Sequence, residues 1–408
     1  MRVAPAIVLS CVACGSDPVV VQDAAPDTYV KDVAVEAMPE DADAAIDVVE
    51  EPAGPFPFFA FDLPRLQNYN GPVLANPKVV PIFFANEDSS KITAVVDFLS
   101  KLPASSYWTS TAQEYGVGAL TIAPAVMLTE NAPSMIDDKQ IESWLTNAMA
   151  TSKVPANEPS KTIYFLYYPT TTTVMFQSLQ SCTGFGGYHS EVNGAAYAEV
   201  NGCASYGAKL APGETVNGID ESTGLTTHEL LEAVTDPYVK TKPAYAAIDQ
   251  PHQAWVKFLY GDEIADTCEM QPGAFFKEPT LGYTVQRMWS NAAANAGEDP
   301  CVPAIGTPFV EAWPMNDVQL QLGDTTTVPI RVASSAPTGT ITVTAIDESQ
   351  AHGKVQHLAL SLDKTTAKNG DVLTLTIKVL ATDSTGYEGY WIQTDAGNKR
   401  RTAGLVHQ

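Results

Sequence analysis

The chain has 408 residues, with 23 Lys or Arg against 47 Asp or Glu and a formal net charge of −24. That length exceeds one typical core, so more than one folded unit is expected. The acidic balance argues against nucleic acid and against attraction to anionic lipid surfaces.

Residues 1–14 hold one basic residue, a short apolar run and cysteine among small residues. That pattern looks like a bacterial lipoprotein leader. The lipid would sit on Cys11, after Val8-Leu9-Ser10, or on Cys14, after Val12-Ala13. An address in the bacterial cell envelope is expected, lipid-anchored at the outer membrane or cell surface and otherwise secreted. No apolar stretch approaches the length of a spanning helix. Residues 15–55 contain eleven Asp or Glu and one Lys, without helical or alternating apolar period, and read as a disordered acidic tether.

Globular patterning begins after Pro55. Lys78 to Phe84 reads as a buried strand, and Ile92, Val95, Val96, Leu99 and Leu102 recur at helical spacing. A second helix is expected over 106–115, a strand over 120–128, a helix through Ile141 to Met149 starting near Ser134 or Asp137, and a strand over 161–168. This β-α-α-β-α-β order indicates a three-layer α/β core. The stretch 170–217 reads as long and irregular. Its glycine cluster Gly184-Phe185-Gly186-Gly187 is no phosphate loop, because no Lys-Ser/Thr and helix follow.

Four cysteines lie beyond the leader: Cys182, Cys203, Cys268 and Cys301. Without C-x-x-C spacing a thiolate zinc cluster is not expected, and export favours disulfides, most simply Cys182–Cys203 and Cys268–Cys301. Sequence alone does not choose among the three connectivities.

The segment from Thr226 to Pro237 carries the chemistry. On a helix His228 and Glu232, four residues apart, share a face, and Glu229 stands about 100° to its side. Leu225, Leu230, Leu231 and Val234 form the packing stripe, Asp220 is the expected N-cap, and Pro237 ends the helix after Asp236, a turn residue. The competing reading is an acidic surface helix with a stray histidine. No Gly-x-Ser-x-Gly elbow occurs. Downstream come Gly261 to Cys268 and a strand over 283–290. Short alternating strands follow from about Thr307, with no ligand spacing among His352, His357 and His407. They suggest an immunoglobulin-like β-sandwich serving as a binding or spacer module. The expected division is therefore 1–14, 15–55, 56–305 and 306–408.

Across roughly 75–301 the chain resembles the EXORDIUM, or phosphate-induced, proteins of plants and their bacterial relatives. The matching pieces, in family order, are the strand from Val79 with its helix, Cys182 with Gly187-Tyr188-His189, and His228 to Pro237. Glu263 to Cys268 and Val285 to Ser290 complete the set. Plant members usually carry Asn-Pro where Asp236-Pro237 stands here, and Gly at the position of Ala265. The plant proteins are secreted and linked to cell-wall growth.

The H-E-x-x-E helix is also similar to the H-E-x-x-H of zincins, with a carboxylate in place of the second histidine. That resemblance implies a zincin-like domain with His228 and Glu232 as ligands, Asp266 as the third, and His189 and Glu263 in reserve. His189 bonding within a tight loop, or Glu263 and Asp266 capping a turn, would explain them structurally instead. A His-Glu-Asp shell suits zinc; more oxygen ligands would favour manganese or calcium. Glu229 would be the general base for water activated by the metal, and Tyr188 or His189 would stabilise the oxyanion. The expected function is a monomeric, exported zinc peptidase acting on protein or peptide. The alternative is a non-catalytic surface protein binding a wall polymer or a protein, with a structural metal or none.

Overall fold

The computed structural model describes residues 55–203, 216 and 218–408. Cys11, Cys14, the leader and nearly all of the acidic tether lie outside the described residues.

The α/β unit opens with β1 (Lys78–Phe83), α1 (Ser89–Lys101) and α2 (Ser106–Ala112). Then come β2 (Thr121–Ile122), β3 (Val126–Met127), β4 (Met135–Asp137), α3 (Asp138–Ala150) and β5 (Thr162–Tyr168). Local chemistry places β1, α1, α2, α3 and β5 near their expected positions, while the short strand β4 is not among those expected. Asp88 caps α1 through its side chain, and Asp137 forms a reciprocal capping box with Gln140 at α3. The single strand expected over 120–128 is divided, because Pro124 cannot donate to a ladder. Its halves β2 and β3 both pair parallel to β1.

The stretch expected to be irregular is the larger departure. It holds β6 (Thr173–Phe176), β7 (Leu179–Gln180), β8 (Gly187–Val192) and β9 (Ala195–Asn201). Strands β8 and β9 form an antiparallel hairpin whose two loop residues, Asn193 and Gly194, have φ of 50° and 74°. Asn-Gly is the strongest short-range hairpin signal, and it stands in the sequence. The main sheet runs β2-β1-β5-β9-β8, with β3 also on β1. Its central strands are buried on both faces, as continuous apolar runs require. Val79, Phe83, Phe165 and Tyr167 pack with α1 and α2, while Val80, Ile82, Tyr164 and Leu166 pack with Ile141 and Leu145 of α3.

Helix α4 (Gly218–Thr235) lies on the α1 side, against β8, β9 and α1. It starts two residues before the expected cap, so Asp220 belongs to its first turn. Every residue from Glu221 to Thr235 is buried, so this is no surface helix with one packed stripe. Its hydroxyls bond back into the helix, Thr226 to Ser222 O at 2.6 Å and Thr235 to Leu231 O at 2.7 Å, which lets polar residues go inside. Beyond it stand α5 (Gln253–Phe258), α6 (Asp266–Glu269) and the hairpin β10 (Phe275–Glu278) and β11 (Tyr283–Gln286), the latter against α4. Disulfides Cys182–Cys203 and Cys268–Cys301 are formed as expected.

Residues 306–408 build two packed sheets of four and five strands around Val328, Ile330, Val343, Leu375 and Ile392, the expected sandwich. It is not a separate bead. Trp391, Ala403 and Leu405 belong to one core with Trp255, Phe258 and Leu259 of the first unit. The Phe258 ring lies on Gly389, where an added Cβ would stand 2.2 Å from the ring. Trp391 Nε1 donates to Phe258 O at 2.8 Å, and Gln271 exchanges two bonds with the Arg401 backbone. Asp299 is paired with Arg287 from one side and Arg400 from the other.

Because the units share this core, urea unfolding of the full chain is expected to follow one transition. Trp391→Ala should lower stability by about 3–5 kcal/mol. Two resolved transitions, with the first insensitive to that substitution, would contradict a shared core.

Candidate metal centre

Helix α4 delivers three polar side chains to one end of a cavity of about 1070 Å³: His228, Glu229 and Glu232. Strand β8 adds His189, and the turn into α6 adds Asp262, Glu263 and Asp266. His228 Nε2 stands 3.3 Å from Glu232 Oε2 and 3.4 Å from Asp266 Oδ1. His189 Nδ1 is 3.5 Å from the same Glu232 oxygen, and its Nε2 is 3.6 Å from Glu263 Oε1. Ligands about 2.0–2.1 Å from a tetrahedral zinc stand about 3.3–3.4 Å apart, so both carboxylates stand from His228 Nε2 at the separation of co-ligands.

The ring of His228 is held from behind. Its Nδ1 lies 2.9 Å from Gln286 Oε1, while Gln286 Nε2 donates to Ala265 O at 2.8 Å. The second bond orients the amide, so Gln286 presents an oxygen and His228 carries its proton on Nδ1. In the neutral ring the Nε2 lone pair then faces Glu232 and Asp266, the arrangement that outer-shell partners impose on ligating histidines. Gln286 is missed from sequence, where it is only one residue of an expected strand; a neutral amide has no spacing signature. Gly187 gives Glu229 its room, since a Cβ there would meet Glu229 Oε1 at 2.9 Å and Glu199 O at 2.6 Å.

The structure thus brings together His228, Glu229, Glu232, Asp266, His189 and Glu263. Tyr188 lines the same cavity, but neighbouring strand residues face opposite ways, and its ring packs on Phe176 while its hydroxyl donates to Asp138 at 3.1 Å. That ring belongs to the core on the α3 side of the sheet, and Asp138 already takes up its hydroxyl. Asp236 is the turn residue expected, its Oδ1 accepting from Ala244 N at 2.7 Å, and it also lines the cavity. On the sandwich, His357, Asp383 and Glu388 come together although their spacing carries no sign of it. There the Glu388 carboxylate is used within the protein, by His357, by Asp383 N at 3.1 Å and by Gln408 Nε2 at 2.6 Å.

Burial of so many acids sets the electrostatics. Burial, with Glu232 and the other neighbouring carboxylates, pushes Glu229 and Glu263 well above the ordinary range, raises Asp266, and moves Asp262 up to about 8. Burial also opposes charge on His228, but Glu232, Asp266 and Glu229 overcome it and raise the ring well above 6.5. Glu232 is the exception: despite burial, His228 and His189 hold it down at about 2.

No protein-family model and no curated protein matches the chain. Solved structures resemble parts of it. A conjugative transposon lipoprotein from Bacteroides eggerthii is 9% identical, over 24% of this chain and 97% of that one, with a TM-score of 0.19. A FixG-related protein from Vibrio parahaemolyticus is 8% identical, over 26% and 98%, with a TM-score of 0.19. A protein of unknown function from Porphyromonas gingivalis is 18% identical, over 33% and 62%, with a TM-score of 0.18. Likenesses of this size carry no argument about the site. Among the described residues no helix is long and apolar enough to cross a membrane.

A group that holds its proton more tightly when folded stabilises the fold at low pH and loses that contribution as pH rises through the raised pKa. Asp262, from 3.8 to about 8, and the other raised groups act in this sense. Glu232 acts oppositely, its contribution being lost only as pH falls from 4.5 towards about 2. In chelator, the urea midpoint is therefore expected to fall from about pH 5 to about pH 8; a midpoint that rises across this window would contradict the assignment.

Proposed function

We propose that the chain is an envelope-anchored, metal-dependent hydrolase, a zinc peptidase with a zincin-like α/β domain related to the EXORDIUM proteins. The observation that carries the reading is the set of donors His228 Nε2, Glu232 and Asp266 around one point, with Gln286 fixing the histidine's free lone pair towards it. One imidazole nitrogen and two carboxylates suit zinc, with manganese or calcium favoured if more oxygens join. Cys11 or Cys14 would carry the lipid.

A divalent cation at this point supplies Lewis-acid polarisation of a carbonyl and acidifies a water. Glu229 is the group that accepts the water's proton and returns it to the departing amine. Its position fits, one residue past His228 and fixed against Gly187. Without a cation, burial together with the neighbouring carboxylates favours a proton on Glu229, and a divalent charge held nearby would oppose that bias and leave it able to act as a base. His189, 3.9 Å from Glu229 Oε2, stands beside this exchange.

Peptide is favoured as substrate by the position of β8. It is the end strand of its sheet and carries His189 into the cavity, so an extended chain adding to that edge would pass the metal point. Apolar Met175 and Phe176 line the same cavity and give a side-chain surface.

Glu229→Gln is expected to keep the metal and lose about 10²–10⁴ in peptide hydrolysis. His228→Ala should bind one ion fewer than wild type and lose hydrolysis. A Glu229→Gln protein that digests a peptide library as fast as wild type, or unchanged metal content in His228→Ala, would remove the reading. Gln286→Leu frees the His228 ring to turn, and competition with a chelator should show metal affinity about 10–100-fold weaker. An unchanged affinity would show that Gln286 does not orient a ligand.

A further inference from the structure

We propose that the cavity binds two cations, bridged by the Glu232 carboxylate. The first position is His228, Glu232 and Asp266; the second is His189, Glu232 and Glu263. The inference rests on the metal reading above and deepens it.

The donors fall into two overlapping sets, each with its ligand atoms within 4.8 Å of one another, and Glu232 belongs to both. Asp266 pairs with His228, and Glu263 pairs with His189, so each histidine has its own carboxylate beside the shared one. Glu232 Oε2 lies between the two rings, 3.3 Å from His228 Nε2 and 3.5 Å from His189 Nδ1. An ion at the second position takes one nitrogen of His189, from which donor atoms of both Glu232 and Glu263 lie within 4.8 Å.

The second position carries an independent mark of its own. The His189 side chain is 4% exposed, yet its Nε2 has no hydrogen-bond partner. Glu263 Oε1, at 3.6 Å, is likewise buried and unbonded. The gap is too long for a hydrogen bond and close to the spacing of two ligands on one ion. Buried polar atoms are otherwise satisfied as a rule, so a facing pair left open calls for something between them.

Charge points the same way. Glu229, Glu232, Asp236, Asp262, Glu263 and Asp266 all line this cavity. One divalent cation offsets the charge of two of those six carboxylates when they ionise, and two cations together offset four. Paired ions about 3.5–4 Å apart are a recognised hydrolytic arrangement, in which the two clamp the attacking and leaving oxygens of a displacement. Histidine with carboxylates at both positions selects a transition cation such as zinc over magnesium.

Metal counting on the full chain tests this without activity. Protein stripped with chelator, reloaded with zinc and freed of excess by dialysis is analysed for zinc per chain. Wild type should hold two ions, and His189→Ala and Glu263→Gln one each, with unchanged circular dichroism. Glu263→Gln keeps the side-chain volume and decides the matter if His189→Ala does not fold. One ion in wild type, still bound in both variants, would overturn the second position and leave the first intact. A wild type with one ion that His189→Ala loses would also overturn it, by making His189 a ligand of a single site. Two ions retained in both variants would place the second elsewhere and overturn it too. No zinc in wild type would remove both this inference and the reading beneath it.

Discussion

Charge taken out of water has to be compensated, and this protein buries more of it around one helix than its own cations offset. Helix α4 is enclosed on all sides, and four of its positions near the cavity, His228, Glu229, Glu232 and the adjoining Asp236, are ionisable. Three more acids, Asp262, Glu263 and Asp266, approach from the turn before and into α6. An isolated buried carboxylate normally neutralises itself by binding a proton, and most of these are displaced in that direction. Glu232, which lies between two imidazoles, is held down to about 2 and stays ionised above it. A site with one firmly charged carboxylate and a ring of reluctant acids would, as a cation receptor, gain affinity as the acids lose their protons.

The second β unit has a larger part in this than a spacer would. The loop that carries Glu263 and Asp266 is tied at both ends. Ile264 O accepts from Trp289 N at 2.8 Å, and Ala265 O accepts from Gln286. Cys268 is linked to Cys301, and beyond it Met270 O and the Gln271 side chain are bound to Arg401 of the sandwich. Acids that repel one another are held together only when rigid neighbours leave them no exit, and Trp391 seated under Phe258 is part of that frame.

What was legible in the sequence follows from the range over which each signal acts. His228, Glu229 and Glu232 are legible because one helical turn sets their spacing, and Asp137 because capping is local; Pro124 carries an equally local signal, its missing N–H, that the single strand expected over 120–128 passes over. Asp266 lies 34 residues past Glu232, so only the resemblance to zincins suggests it. His189 is reached on the same footing, but its strand is not: the Asn193-Gly194 turn stands between two short runs and is masked by the irregular composition around it. Tyr188 stands beside the site histidine on a strand, so its ring joins the core on the other face of the sheet, where Asp138 takes its hydroxyl. Gln286 and the docking of Trp391 depend on contacts between distant segments, which no local pattern carries. The envelopment of α4 is hidden likewise, because threonines that satisfy themselves read as surface residues.

The most direct measurement is anomalous diffraction at the zinc edge from crystals of the zinc-loaded full chain. A cation held by the buried histidine and acids places a peak among His228, Glu232 and Asp266, in bonding range of His228 Nε2. A peak only at His357, Asp383 and Glu388 on the sandwich, or none in the cavity, would show that the buried acids are compensated by protons alone and that α4 is not a metal helix.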